Sequence, residues 1–239
     1  MKYLFFSLLI LLQSTALAGV LANNSRVIFS ADDDKQTLMI ANTNPYPIVV
    51  QTWVDNGDGT PSVASFIPLF VTPSTFRLEP KQVQALTIIK SDEIKNQETE
   101  SVYWLNLYEI PPSDAVINDK AKVDLTMNTQ HKVFIRPKNL EQYPDNIIDY
   151  LSFKVIQKGD SWQLLCKNIS KFHVSFIGFS VTSKGENPIF VEQEMDMMSS
   201  PQSERGYTLQ YSPNDYSSEV NFNYIDDNGG MRKGTIKLQ

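Results

Sequence analysis

The residues of this chain that could carry chemistry are few, and their spacing points away from covalent catalysis. There are two histidines, His131 and His173, and no HExxH-type pair that would set two imidazoles on one helical face around a metal. Asp55-Asn-Gly-Asp-Gly-Thr60 begins like a calcium loop, but its twelfth position is Phe66, where a bidentate glutamate is required. A hairpin turn is the expected structure there. No GxSxG, GxGxxG or P-loop string occurs, so neither a nucleophile elbow nor a phosphate cradle is present. Cys166, the single cysteine, lies between Leu165 and Lys167 in a strand-like run and reads as a small buried hydrophobe. No metal, no cofactor and no enzymatic activity are expected. What remains is a pair of cations, Lys132 and Arg136, near the end of the run from Val123 to Pro137.

That run has the form of a strand. Val123, Leu125 and Met127 alternate with Asp124, Thr126 and Asn128, which gives one apolar and one polar face, because successive side chains of a strand point to opposite sides. Pro137 closes the strand, since it has no N–H to give to a ladder. Two readings follow from the pattern. Either the apolar face is ordinary sandwich core and Lys132 is solvated, or the strand is a working surface whose apolar face meets a partner.

The rest of the chain supplies the scaffold. Lys2, an apolar run from Tyr3 to Leu12 and the ending Gln13-Ser-Thr-Ala-Leu-Ala18 match a secretory signal peptide, with cleavage expected after Ala18 and no membrane insertion of the mature chain. The formal net charge is −6, which argues against nucleic acid and anionic lipid as partners. With one cysteine there can be no internal disulfide, so an exported protein of this kind must be held by its core alone. Strands are predicted over Arg26 to Phe29, Thr37 to Ala41, Ile48 to Val54, Phe76 to Leu78, Val83 to Lys90, Val102 to Tyr108 and the Val123 run, with at most a helical turn in Ser91 to Glu100. After a hinge at Pro137 to Asn146 the pattern resumes over Leu151 to Gln157, Trp162 to Lys167, Val174 to Val181, Ile189 to Gln193, Gly206 to Tyr211, Glu219 to Ile225 and Gly234 to Leu238. Short β-branched and aromatic runs between turn signals predict an all-β protein of two immunoglobulin-like β-sandwich domains, residues 19–140 and 141–239, after a leader at 1–18.

Five strings occur in one order: SRVIF (Ser25 to Phe29), QTW (Gln51 to Trp53), FIPLFVTPSTFRLEP (Phe66 to Pro80), ESVYWLNLYEIPP (Glu100 to Pro112) and KVFIRP (Lys132 to Pro137). Together they resemble the PapD-like periplasmic chaperones of the chaperone–usher pilus pathway, over most of residues 20 to 140. NYIDDNGG (Asn223 to Gly230) extends the likeness downstream. The short segment between Pro112 and Val123, with no cysteine pair around it, resembles the branch with a short loop before the donor strand. The resemblance implies two domains at an angle with a cleft between them, pilus (fimbrial) subunits and an outer-membrane usher as partners, and a periplasmic location. It implies that Val123, Leu125 and Met127 enter a groove in the subunit, and that Arg26 and Lys132 anchor the subunit's C-terminal carboxylate. It further implies an interdomain salt bridge of Glu100, Arg136 and Asp227, with Asp226 as the alternative acid. A secreted two-domain immunoglobulin-like adhesin or structural protein is the competing reading. An adhesin of a pilus pathway would itself lack a strand or carry paired cysteines.

Overall fold

A computed structural model of the protein describes residues 19–57, 66–91, 97–112, 125–140, 142–182, 187–211 and 219–239. The expected leader at 1–18, the donor-strand residue Val123 and half of the segment considered for a helical turn, residues 92–96, lie outside the described residues.

The first domain contains β1 (Val20–Ala22), β2 (Arg26–Phe29), β3 (Lys35–Asn42), β4 (Ile48–Asp55), β5 (Leu69–Thr72), β6 (Thr75–Leu78), β7 (Val83–Lys90), β8 (Ser101–Ile110) and β9 (Met127–Ile135). They form two sheets, in the orders β1-β3-β7-β5 and β2-β9-β8-β4-β6. Strict alternation explains the packing: Leu38 and Ile40 of β3, Leu86 and Ile88 of β7, Ile48 and Val50 of β4 and Leu105 and Leu107 of β8 are buried between the sheets. β1 and β5, of three and four residues, were not expected. Of the expected Val123 run, the described residues form β9 from Met127, with Leu125 and Thr126 ahead of it outside the ladder.

The second domain follows a single 3-10 turn, Ile147–Tyr150, which the sequence pattern did not predict. Its strands are β10 (Leu151–Lys158), β11 (Ser161–Asn168), β12 (Val174–Thr182), β13 (Ile189–Phe190), β14 (Met198–Ser199), β15 (Ser203–Thr208), β16 (Glu219–Ile225) and β17 (Met231–Lys237). One sheet runs β10-β11-β15 and the other β13-β12-β16-β17, with β14 also on β12. The expected strand to Gln193 stops at Phe190, leaving Val191 as an isolated bridge to Leu209. The core is aromatic, with Phe176, Phe179 and Tyr207 in contact at centroid separations of 4.5 Å and 4.6 Å along that series. Cys166 is wholly buried in it, and burial pushes its thiol up to about 12.

The two domains repeat one turn. Asn42 donates from Nδ2 to the Tyr46 carbonyl and accepts from the Asn44 N–H, while Asn168 donates to the Phe172 carbonyl and accepts from the Ser170 N–H. An amide of this kind satisfies the loop's own backbone where no ladder can. In the second domain the turn delivers Phe172 and His173 to the domain junction.

Candidate functional site

The site begins with register. β2 pairs in parallel with β9 and places Arg26 beside Lys132, and Phe29 beside Ile135. Val27, Phe29, Val133 and Ile135 are core, so by alternation the side chains of Arg26 and Lys132 share the opposite face. That face meets the second domain: the Lys132 ammonium donates to Asp196 Oδ1 at 3.1 Å, and Arg26 Nη1 donates to the Ile225 carbonyl at 3.3 Å. Burial holds both cations below their ordinary pKa values; Asp227, ahead of weaker contributors, opposes the shift at Arg26, and Asp196 opposes it at Lys132. Arg26 Nε is buried with no hydrogen-bond partner among the described residues. An unpaired donor of a buried cation is costly, so this pair is short of one acceptor.

Arg136, immediately after β9, is the opposite case. Its Nε donates to Glu100 Oε2 at 2.8 Å, and Nη1 and Nη2 donate to the two Asp227 oxygens at 2.7 Å each. The guanidinium lies over Tyr143 at 5.5 Å and Phe172 at 5.3 Å. Burial alone would lower its pKa, but hydrogen bonds and charge from Asp227 and Glu100 more than offset that and hold it above the ordinary value. The second Glu100 oxygen accepts from the His173 backbone N–H at 2.8 Å and lies 3.1 Å from the His173 ring Nδ1. Asp226 is engaged elsewhere, accepting from the N–H groups of Asn228 and Gly230 and from Arg232 in its own hairpin.

β9 also has an unfinished edge. One side pairs with β8 along its whole length, from Glu109 opposite Met127 to Ser101 opposite Ile135. The other side pairs with β2 only from Lys132 onward, so among the described residues no strand covers the edge from Met127 to His131. The side chains above that edge are apolar and wet: Leu125 is 77% exposed and Met127 51%. Yet this half-strand is held in place from its other face. Asn128 and Gln130 both donate to Asn106 Oδ1, at 2.9 Å and 3.0 Å, and Asn106 donates to Asp55 Oδ2 at 2.7 Å. Asp55 also accepts from Trp53 Nε1 and the Gly57 N–H. The carboxylate at the head of the calcium-like string is therefore consumed by protein donors.

The family models describing the "Pili and flagellar-assembly chaperone, PapD N-terminal domain" and the "Pili assembly chaperone PapD, C-terminal domain" match residues 19–141 and 146–236. The chain belongs to the PapD family of pilus-assembly chaperones. Among PapD-family relatives, Escherichia coli K12 YadV, described as a probable fimbrial chaperone, is 27% identical, covering 94% of this chain and 92% of the relative. The crystal structure of Pseudomonas aeruginosa CupB2 chaperone superposes with a TM-score of 0.74 at 25% identity, covering 92% of this chain and 100% of that one. A structure of Salmonella enterica SafA pilin in complex with the SafB chaperone matches with a TM-score of 0.73 at 25% identity, over 94% of this chain and 99% of the matched one.

For this PapD-family chain, the structure brings Arg26 to Lys132, and Arg136 to Glu100 and Asp227. It leaves Leu125 and Met127 free of the core. Three residues of the junction were not anticipated: His173, Asp196 and Arg205. Arg205 donates to Glu194 Oε2 at 2.7 Å, to the Met198 carbonyl at 2.7 Å and to Asp196 Oδ2 at 3.3 Å. No local pattern marks Asp196, which lies 64 residues from the lysine it meets.

Proposed function

We propose that this chaperone binds fimbrial subunits by lending them β9, and passes them to an outer-membrane usher. One observation carries the reading: the open edge of β9 runs up to a cation pair that is short of an acceptor. A subunit whose terminal carboxylate sits on Arg26 and Lys132 has its last strand alongside the edge from Met127 to His131, and so runs parallel to β9. Main-chain bonds along that edge supply affinity, and charge-assisted bonds to one carboxylate set the register. Leu125, Met127 and, beyond the described residues, Val123 enter the subunit groove, each contributing on the order of 1.5–3 kcal/mol before ordering costs. Glu100, Arg136 and Asp227 orient the two domains, 19–140 and 141–239. The protein acts in the periplasm after loss of residues 1–18, without catalysis or cofactor.

The test uses neighbouring side chains on opposite faces. Leu125→Asp puts an unpaired charge into the apolar groove and costs several kcal/mol of subunit binding, whereas Thr126→Asp costs little. Both are followed by co-purification of a co-expressed subunit. Equal loss in the two variants would exclude β9 as the donated strand.

A further inference from the structure

Lys132 is not waiting empty. The ammonium already carries the Asp196 carboxylate, delivered by the loop between β13 and β14 of the other domain. The pair is partly open, with side-chain exposures of 22% and 39%. Asp196 is itself held from behind by Arg205, whose guanidinium also accepts no freedom of its own: it lies over Tyr207 at 5.1 Å and is bonded to Glu194 and to the Met198 carbonyl. Met195, next to Asp196, projects fully into solvent.

Resting on the reading of Arg26 and Lys132 as the carboxylate anchor, we propose that Asp196 is an internal competitor for that anchor and sets its selectivity. In the free chaperone it occupies the Lys132 half of the site. An incoming terminal carboxylate takes Lys132 and satisfies Arg26, while Asp196 falls back on Arg205. The exchange leaves no charge unpaired at either end, which keeps its cost low, because the expensive event in a low-dielectric junction is an orphaned ion. A carboxylate alone gains too little to displace a preorganised one. A carboxylate that arrives on an extended strand, with main-chain bonds to the edge of β9, does displace it. Asp196 thus discriminates subunit termini from other anions.

The experiment measures binding of a fluorescent synthetic peptide of alternating valine and threonine, ending either in a free α-carboxylate or in an amide, to wild-type protein, Asp196→Asn and Glu194→Gln. The expected result is tighter binding of the free-acid peptide by Asp196→Asn, by about three- to fivefold, the worth of one partly exposed ion pair. The amidated peptide should show no gain, and Glu194→Gln, which leaves Lys132 and Asp196 paired, should behave as wild type. Wild-type discrimination between acid and amide without a gain in Asp196→Asn overturns the competitor and leaves the anchor standing. Failure of the wild type to discriminate acid from amide, or to bind either, overturns the anchor itself. Should Asp196→Asn lose its cooperative melt, hydrogen exchange on the wild-type protein decides: the backbone from Glu192 to Met197 should exchange faster with the free-acid peptide bound. Unchanged or slower exchange there overturns the proposal.

Discussion

The two halves of β9 are built from the same alternation and end in opposite conditions. From Lys132 to Ile135 the strand is paired on both edges, Val133 and Ile135 are core, and Arg136 just beyond has each of its carboxylate partners in place. From Met127 to His131 it is paired, among the described residues, on one edge only, with Met127 and the preceding Leu125 in solvent on the same face that buries Val133. The difference teaches that a strand's stability and its availability can be separated along its length. The closed half ends at a saturated arginine bonded to both domains; the open half is held by β8 on one edge and by Asn106 beneath it, and its other edge has no partner among the described residues.

Substitutions that act on one half and spare the other test this contrast, and the largest effect is expected at the closed end. Arg136→Ala strands Glu100 and Asp227 in the junction and should cost roughly 3–5 kcal/mol of folding stability, measured by urea denaturation. Lys132→Ala, in a partly exposed pair, should cost under about 1 kcal/mol while abolishing subunit capture. Similar stability losses for the two would erase the distinction between structural and ligand-seeking cations. Next, Val133→Ala should lower stability by about 2 kcal/mol through lost burial and a residual cavity, whereas Met127→Ala on the same face should leave the melting temperature unchanged and weaken only subunit binding.

A smaller effect is expected beneath the open half. Asn106→Leu removes the shared acceptor of Asn128 and Gln130 and leaves Asp55 short of a donor, at a cost of about 1–3 kcal/mol. Amide exchange should accelerate from Asn128 to Gln130 and remain slow from Val133 to Ile135. The smallest lies at the boundary, His131, whose imidazole is buried and pushed below the ordinary value of 6.5. The folded state favours the neutral ring, so the unfolded chain binds more protons in acid. This contribution to stability is complete above about pH 6.5 and is lost as pH falls through the lowered folded value. His131→Leu should flatten that part of the acid-side decline in melting temperature.

The alternation of side chains is a local property, and it was enough to read the two sandwiches, most of their strands and the apolar series Leu125, Met127 from the amino-acid sequence. The strings around Arg26, Lys132 and Arg136 were enough to group the cations and to suggest roles for them. Whether Met127 faces core or water was not readable, because Met127 and Val133 have the same parity; exposure depends on β2 pairing with β9 only from Lys132, a fact of three-dimensional register. The choice between Asp226 and Asp227 likewise needed the β16–β17 hairpin, whose backbone N–H groups and Arg232 consume the first carboxylate and leave the second for Arg136. Asp196 is the clearest case: nothing in its neighbourhood distinguishes it from other surface acids, and only the docking of one domain on the other carries its carboxylate to Lys132. Periodicity and turn chemistry act between near neighbours in the chain and are written there, whereas a charge pair across a domain junction exists only once both domains have folded and met.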